Sequence, residues 1–269
     1  MVPGHEIVGT VAATGADVAH LEVGDRVGVG AVVYSCLDTA TCEACATGDE
    51  PHCAQNVMTF GAKYPDGEWA QGGFADFVRV DSNWAIKIPD EIPSDEAASL
   101  FCAGVTVYKP LKENIKPDNR AMGATPVAFS YSRNKEQQAR SFGAEDFVVL
   151  SDIDSVSMAA RSVDVLVVTS DAVDQPWDQY LGFIKIRGTL LLLGIPKDSV
   201  KFSAASLINA SIKVMGSLVG GIQDTRDMLA LAAQKNVRPL IQKLPMSQAT
   251  EGLHLVKDGT ARYRIVLEN

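Results

Sequence analysis

Val163-Asp-Val-Leu-Val-Val-Thr169, Thr189-Leu-Leu-Leu-Leu193 and Ile212-Lys-Val-Met-Gly216 are short, almost unbroken apolar runs, and stretches of helical character separate them. A strand that alternates apolar and polar residues has one wet face; a strand apolar throughout is covered on both. Continuous Val/Leu/Ile strands with helices between them predict a parallel sheet with helices on both faces. The rhythm continues upstream. Pro126-Val-Ala-Phe-Ser130 reads as a strand, followed by a helix to Phe142 that Gly143 closes, and Asp146-Phe-Val-Val-Leu150 reads as the next strand. A helix is expected from Trp177 to Lys185 and another from about Asp224 to Gln234. The fold class is α/β, with a doubly wound domain in the second part of the chain.

The first 90 residues or so differ. Glu6-Ile-Val-Gly-Thr-Val-Ala, Asp25-Arg-Val-Gly-Val-Gly-Ala-Val-Val and Phe74-Ala-Asp-Phe-Val-Arg-Val show short apolar alternation punctuated by glycine, which suits a small irregular barrel. Pro93-Ser94-Asp95-Glu96 then opens a helix, with Ser94 placed to cap it and two acids at its positive end. At 269 residues and 46% hydrophobic content the chain can build one large core or two modest ones. A formal charge of -9 argues against nucleic acid or an anionic membrane as the main partner. No apolar run reaches the ~20 residues of a membrane span, and no secretory leader precedes Met1-Val2-Pro3-Gly4. A cytoplasmic setting is the expectation.

Cys36, Cys42, Cys45 and Cys53 crowd into one stretch. A Cys-x-x-Cys with two further cysteines close by is the spacing that wraps a tetrahedral zinc in thiolates. Two disulfides are the alternative, disfavoured in a reducing compartment. At the end of the strand Pro126–Ser130 stand Ser130-Tyr-Ser132-Arg133-Asn-Lys135. Dinucleotide folds that prefer NAD carry an acid there for the ribose hydroxyls. Hydroxyls with two cations suit a 2′-phosphate instead, Arg133 binding it as a fork and Lys135 as a point charge. A solvated helix start is the bland alternative.

Taken in order, Gly4-His5-Glu6, the cysteine cluster, Gly72-Gly73-Phe74, Phe101-Cys102-Ala-Gly-Val-Thr106-Val-Tyr108, Gly216-Ser-Leu-Val-Gly-Gly221 and Arg262-Tyr263-Arg264-Ile265-Val266 make the chain resemble the zinc-dependent medium-chain alcohol dehydrogenases, most nearly their cinnamyl-alcohol-dehydrogenase-like branch. The resemblance implies a GroES-like β-barrel domain over 1–92, rejoined at about 240–269, and a Rossmann-type NADP-binding domain over 93–239. It implies interconversion of a primary alcohol and an aldehyde with NADP(H), and a homodimer. His5 and Cys102 match ligands of the family's catalytic zinc and Glu6 the acid beside it. Thr106 matches a residue of the substrate or cofactor region. Cys36, Cys42, Cys45 and Cys53 match the structural zinc lobe. Ser130, Ser132, Arg133, Lys135, Thr169, Gly194 and Ser217 fall on the cofactor side.

Three departures stand out. Five residues separate Cys36 from Cys42 where the family has two, and Thr39 stands at the family's cysteine position. A longer loop can still deliver Cys36, since lengthening costs little entropy. The segment that carries the family's remaining catalytic cysteine has no counterpart, which leaves Glu6 as a possible third ligand. Around Pro117–Ala124 the family's first Rossmann strand, its Gly-x-Gly-x-x-Gly turn and most of the next helix are missing, roughly twenty residues of a βαβ unit of about thirty. That strand belongs in the centre of the sheet, so its loss exposes two edges. A second reading follows: a catalytically impaired paralogue or isoform that serves as a zinc-stapled scaffold or pairs with an intact relative.

Overall fold

A computed structural model describes residues 1–115 and 124–269. The expected excision at Pro117–Ala124 therefore lies, apart from Ala124, outside the described residues. In chain order the elements are strands β1 (Ile7–Thr10), β2 (Arg26–Val29) and β3 (Val32–Tyr34), helix α1 (Glu43–Ala46), β4 (Val57–Met58), β5 (Ile86–Lys87), α2 (Ser94–Ala97), α3 (Ala103–Asn114), β6 (Val127–Ser130), α4 (Glu136–Ser141), β7 (Asp146–Val149), α5 (Ile153–Met158), β8 (Val163–Val168), α6 (Trp177–Phe183), β9 (Ile184–Leu192), α7 (Ala204–Ile208), β10 (Lys213–Gly216), α8 (Ile222–Gln234), β11 (Ile241–Pro245), α9 (Ala249–Lys257) and β12 (Arg264–Glu268). They fall into two compact units, 1–109 with 219–269, and 110–218.

In the first unit β2 lies between β1 and β5, antiparallel to both, and β3 pairs antiparallel with β4. One apolar cluster gathers Val27, Val29, Val33 and Val57 behind these strands. A second packs Phe101 and Val105 against Trp84, Ile86, Ile92, Met228 and Leu229. It ties α3 and α8 to the barrel strands. The chain returns through β11 and β12, which pair in parallel.

Two expectations fail here. Phe74–Val80 forms no strand. The amides that lead into it are spent on the first residues of the chain: Gly72 donates to Val2, Gly73 to Gly4 and Phe74 to Pro3. Beyond that point the segment pairs with no strand among the described residues, and Phe77 is left 78% exposed. Ser94 is not a cap either. It is the first residue of α2, Pro93 occupies the cap position without a side-chain bond, and the Ser94 hydroxyl accepts from Arg26 at 3.3 Å.

The second unit has the parallel strands the sequence predicts. β6 pairs with β7, and β9 lies between β8 and β10. α5 begins at a true cap, the Asp152 carboxylate accepting from the Asp154 and Ser155 amides. α4 ends at Ser141 and the turn closes at Gly143, whose φ of +98° suits a residue without a Cβ. α6 stops at Phe183, short of the expected Lys185, and β9 begins at Ile184. Ile184 is fully buried and pairs with Val163, and the ladder resumes at Thr189 after an irregularity in which Arg187 takes a φ of +66°. Burial of Ile184 outweighs the helical pattern.

The two sheets are separate. Among the described residues β6 pairs only with β7 and β8 only with β9, so each keeps an unpaired edge. Both nevertheless share one core: Val127 and Phe129 pack with Leu166, Val168, Leu181 and Phe183, and the rings of Phe129 and Phe183 lie 5.0 Å apart.

Candidate functional site

The four clustered cysteines come together. Cys36 follows β3, Cys42 caps α1, Cys45 sits within it, and the turn Glu50–His52 delivers Cys53, whose amide donates to the Glu50 carbonyl at 3.0 Å. The lengthened first loop is held by Asp38, which accepts from the Ala40 and Thr41 amides, and Leu37 adopts a φ of +51°. All four sulfurs lie within 4.8 Å of one another, with Cys36 at 3.6 Å from Cys45 and 3.5 Å from Cys53. A disulfide needs about 2.0 Å, and the thiols are free. Zinc with Zn–S bonds of about 2.3 Å makes a tetrahedron with edges of about 3.8 Å, so the donor set fits that metal. Its electrostatics fit too. Burial and the neighbouring thiols push Cys45 up, whereas Cys53, despite its burial, is held down by the Cys36 and Gln55 amides. A divalent cation would resolve this crowd of sulfurs by replacing their protons.

His5, Glu6 and Cys102 form a looser corner of the same unit. Cys102 lies between a short 3-10 turn and α3. Glu6 accepts weakly from the Ala103 amide at 3.4 Å and stands 3.9 Å from the Arg264 guanidinium. Burial, with Glu6 adding to it, pushes the Cys102 thiol up to about 11; Arg264 and the Thr106 hydroxyl pull the other way. The Thr106 amide donates to the Cys102 carbonyl at 2.9 Å, so Thr106 sits one turn along on α3. The His5 ring stacks on Phe60, centroids 5.8 Å apart. These donors suit a catalytic zinc in kind. They do not converge: among the described residues the cysteine cluster is the one group of three or more such donors close enough to hold a metal ion.

In the other unit, the residues expected on the cofactor side each follow the C-terminal end of a strand. Ser130 ends β6 and accepts from the Leu150 amide at 2.9 Å; Thr169 follows β8. The Gly194 amide, beyond β9, donates to Val168 at 3.1 Å, and the Ser217 amide, beyond β10, donates to Leu192 at 3.2 Å. A Cβ on Gly194 would meet the Ser170 carbonyl at 2.3 Å, so that turn admits only glycine. Carboxyl ends of parallel strands are where doubly wound folds bind ligands. Ser132 precedes the turn Arg133–Lys135 with its hydroxyl unused as a cap. Arg133 is exposed and lies 3.1 Å from Glu136 and 3.6 Å from Asp152. Such exposed pairs are weak, about 0–1 kcal/mol, and a phosphate can displace them.

Sequence reasoning missed three partners. Arg264 reaches Glu6, Phe60 stacks on His5, and the buried Lys109 makes an ion pair with the half-exposed Asp49. Each links residues remote in sequence, so no local pattern announces them.

The sequence matches the family description "Alcohol dehydrogenase GroES-like domain" over residues 1–90 and "Zinc-binding dehydrogenase" over residues 119–234. A relative in Bacillus subtilis, "Probable formaldehyde dehydrogenase AdhA", is 36% identical over 288 aligned positions that take in 100% of this chain and 81% of the relative. Because this chain has 269 residues, at least 19 of those positions have no counterpart in it. The structure is similar to a cinnamyl alcohol dehydrogenase of Sorghum bicolor, with a TM-score of 0.91, 31% identity and coverage of 99% of this chain and 81% of that one. It is also similar to the Helicobacter pylori enzyme solved with NADP(H), with a TM-score of 0.87, 29% identity and coverage of 99% and 81%. No helix among the described residues is long and apolar enough to cross a membrane. A GroES-like half that carries a four-cysteine lobe, followed in sequence by a Rossmann-type half, places the chain in the zinc-dependent medium-chain alcohol dehydrogenases, in their cinnamyl-alcohol-dehydrogenase-like branch.

Proposed function

We propose that the chain is an NADP(H)-dependent alcohol dehydrogenase and aldehyde reductase acting on primary alcohols and aldehydes of the cinnamyl type. The observation that carries the cofactor half is the donor set after β6, two hydroxyls and two cations where an NAD site carries an acid. Ser130, Ser132, Arg133 and Lys135 hold the 2′-phosphate in this reading, with Thr169, Gly194 and Ser217 lining the carboxyl ends of β8, β9 and β10. The bound nicotinamide supplies the hydride. His5, Glu6 and Cys102 are the proposed donors for a catalytic metal, with Thr106 beside the substrate. A homodimer is proposed on family grounds, as is the assignment of 93–239 to the cofactor and of 1–92 with 240–269 to the substrate.

The test is a titration of the zinc-replete chain with NADPH, with NADH alongside. Saturable binding that favours NADPH is expected. Absence of binding in a folded chain would overturn the oxidoreductase reading and leave a zinc-stapled partner of an intact relative in its place. Arg133→Ala is expected to weaken NADPH binding by about tenfold or more, the size of a lost charge-assisted bond, and to leave NADH binding within about twofold. Equal losses for both cofactors would remove Arg133 from the phosphate site.

A further inference from the structure

Two acids lie between the third and fourth cysteines of the lobe, and neither is among its four clustered metal donors. Asp49 pairs with Lys109 of α3. Lys109 is only 6% exposed, so the stem and charge of this lysine are taken out of water, and Asp49 is its ion-pair partner. Asp49 is anchored in the lobe in turn: its amide donates to the Ala44 carbonyl at 2.8 Å, its carbonyl accepts from His52 at 2.8 Å, and Thr47 donates to its carboxylate at 3.1 Å. Glu50 points elsewhere. It is 8% exposed, and its Oε2 is buried with no hydrogen-bond partner among the described residues. That oxygen lies against Gly221, the residue that caps α8 without a side-chain bond. A Cβ there would meet Glu50 Oε2 at 2.0 Å and the Gly48 carbonyl at 2.4 Å. A carboxylate at a helix start is favoured by the helix dipole, and the missing side chain at Gly221 permits the approach.

The lobe is thus fastened at two adjacent residues to two helices, and one of them begins next to Cys102 and carries Thr106. We infer that Asp49, with Lys109, is a positioning residue through which metal loading of the lobe fixes the placement of α3, and hence of Cys102. In this inference loss of the metal loosens residues 42–53, so that Asp49 loses its place and Lys109 loses the ion-pair partner it has among the described residues, and a buried charge left so is strongly unfavourable. By reciprocity, loosening the pair weakens the hold on the metal. The inference stands on the lobe geometry and is independent of the cofactor reading.

Cys102 is the single cysteine outside the lobe, and it supplies the readout. With one zinc bound per chain the lobe thiols are covered, and the rate at which Cys102 takes up a maleimide reports on α3. Lys109→Met removes the buried charge but keeps the apolar stem, and it leaves a half-exposed Asp49 that water can solvate. It is expected to speed Cys102 labelling about tenfold and to weaken zinc, measured by competition with a chromogenic chelator, by a similar factor. Asp49→Asn is expected to do the same, the double variant no more than either single one, and Lys109→Arg to restore the parent behaviour. Labelling and zinc affinity within twofold of the parent in a folded Lys109→Met chain would overturn the inference. Should that variant not fold, additive effects of Asp49→Asn and Gly221→Ala, with labelling unchanged in both, would do so.

Discussion

Cys45→Ser is expected to strip the chain of its lobe zinc and to open residues 36–53 to proteolysis while the strands of 110–218 persist. Cys45 is buried within α1, and its sulfur is one of four held within 4.8 Å. The helical segments of the lobe cannot hold it together by themselves. α1 spans only 4 residues and the following 3-10 turn 3, far below what stands unaided as a helix. The free energy of such a fold comes from the metal, about 10–16 kcal/mol for thiolate-rich zinc peptides at neutral pH. Loss of one thiolate forfeits much of it, since serine is a poor ligand for a borderline-soft cation. Elemental analysis of the purified variant and limited proteolysis test this. A chain that keeps about one tightly bound zinc and an intact lobe would show that Cys45 is not a ligand.

Acid should have the same effect more gradually. Zinc displaces protons from the thiols, so lower pH favours the protonated, metal-free lobe. Burial pushes the Cys45 thiol up, so near neutrality it keeps its proton until the metal displaces it. Zinc retention should therefore fall as pH falls, whereas a site built on groups already ionised near neutrality would be almost insensitive to pH there.

Legibility in the sequence followed how local the cause was. The strands of the second unit were readable because a Val/Leu/Ile run between helices has few other uses; β8 lies within a residue of its expected bounds. The cysteine lobe was readable for a similar reason, since sulfur spacing alone constrains the chemistry, and the longer loop between Cys36 and Cys42 did not keep Cys36 away. Phe74–Val80 was not readable. Its alternation is that of a strand, but a strand needs a neighbour, and a pattern cannot say whether one is in reach. Ser94 misled by one residue because Pro93 took the cap position. Partners such as Lys109 and Asp49 lie 60 residues apart, and only the packed chain brings them together.

The separation of β6 from β8 has a physical consequence for the second unit. Parallel strands with unpaired interior edges leave amides and carbonyls to water or to another strand. Among the described residues the core that both sheets share is held by side-chain contacts such as Phe129 with Phe183. By contrast, the first unit has a core anchored by backbone ladders on one side and by α3 and α8 on the other. The larger mutational effects are expected there.

Phe101→Ala is the substitution expected to cost most in that core. The side chain is 1% exposed and packs among Val32, Trp84, Ile86, Ile92, Val105, Met228 and Leu229. Strand β2 is shaped to receive it. A Cβ on Gly28 would sit 2.0 Å from the Phe101 ring and one on Gly30 would sit 2.5 Å from the Phe101 carbonyl, so the ring and its backbone lie directly on glycine backbone. Removing the ring leaves a cavity walled by rigid strand and helix, which collapses poorly, and about 3–5 kcal/mol is the usual loss for such a truncation. The complementary change, Gly28→Ala, overfills the same space and should cost about 1–3 kcal/mol. Because the two act on one volume, the double variant should be less destabilised than the sum. Urea unfolding checks this: a lower midpoint at unchanged slope is expected. Phe101 immediately precedes Cys102, so the truncation should also quicken Cys102 labelling at urea concentrations too low to unfold the chain. A midpoint equal to that of the parent would mean that the ring is not the keystone of this core, and additive losses in the double variant would mean that Gly28 and Phe101 do not share their space.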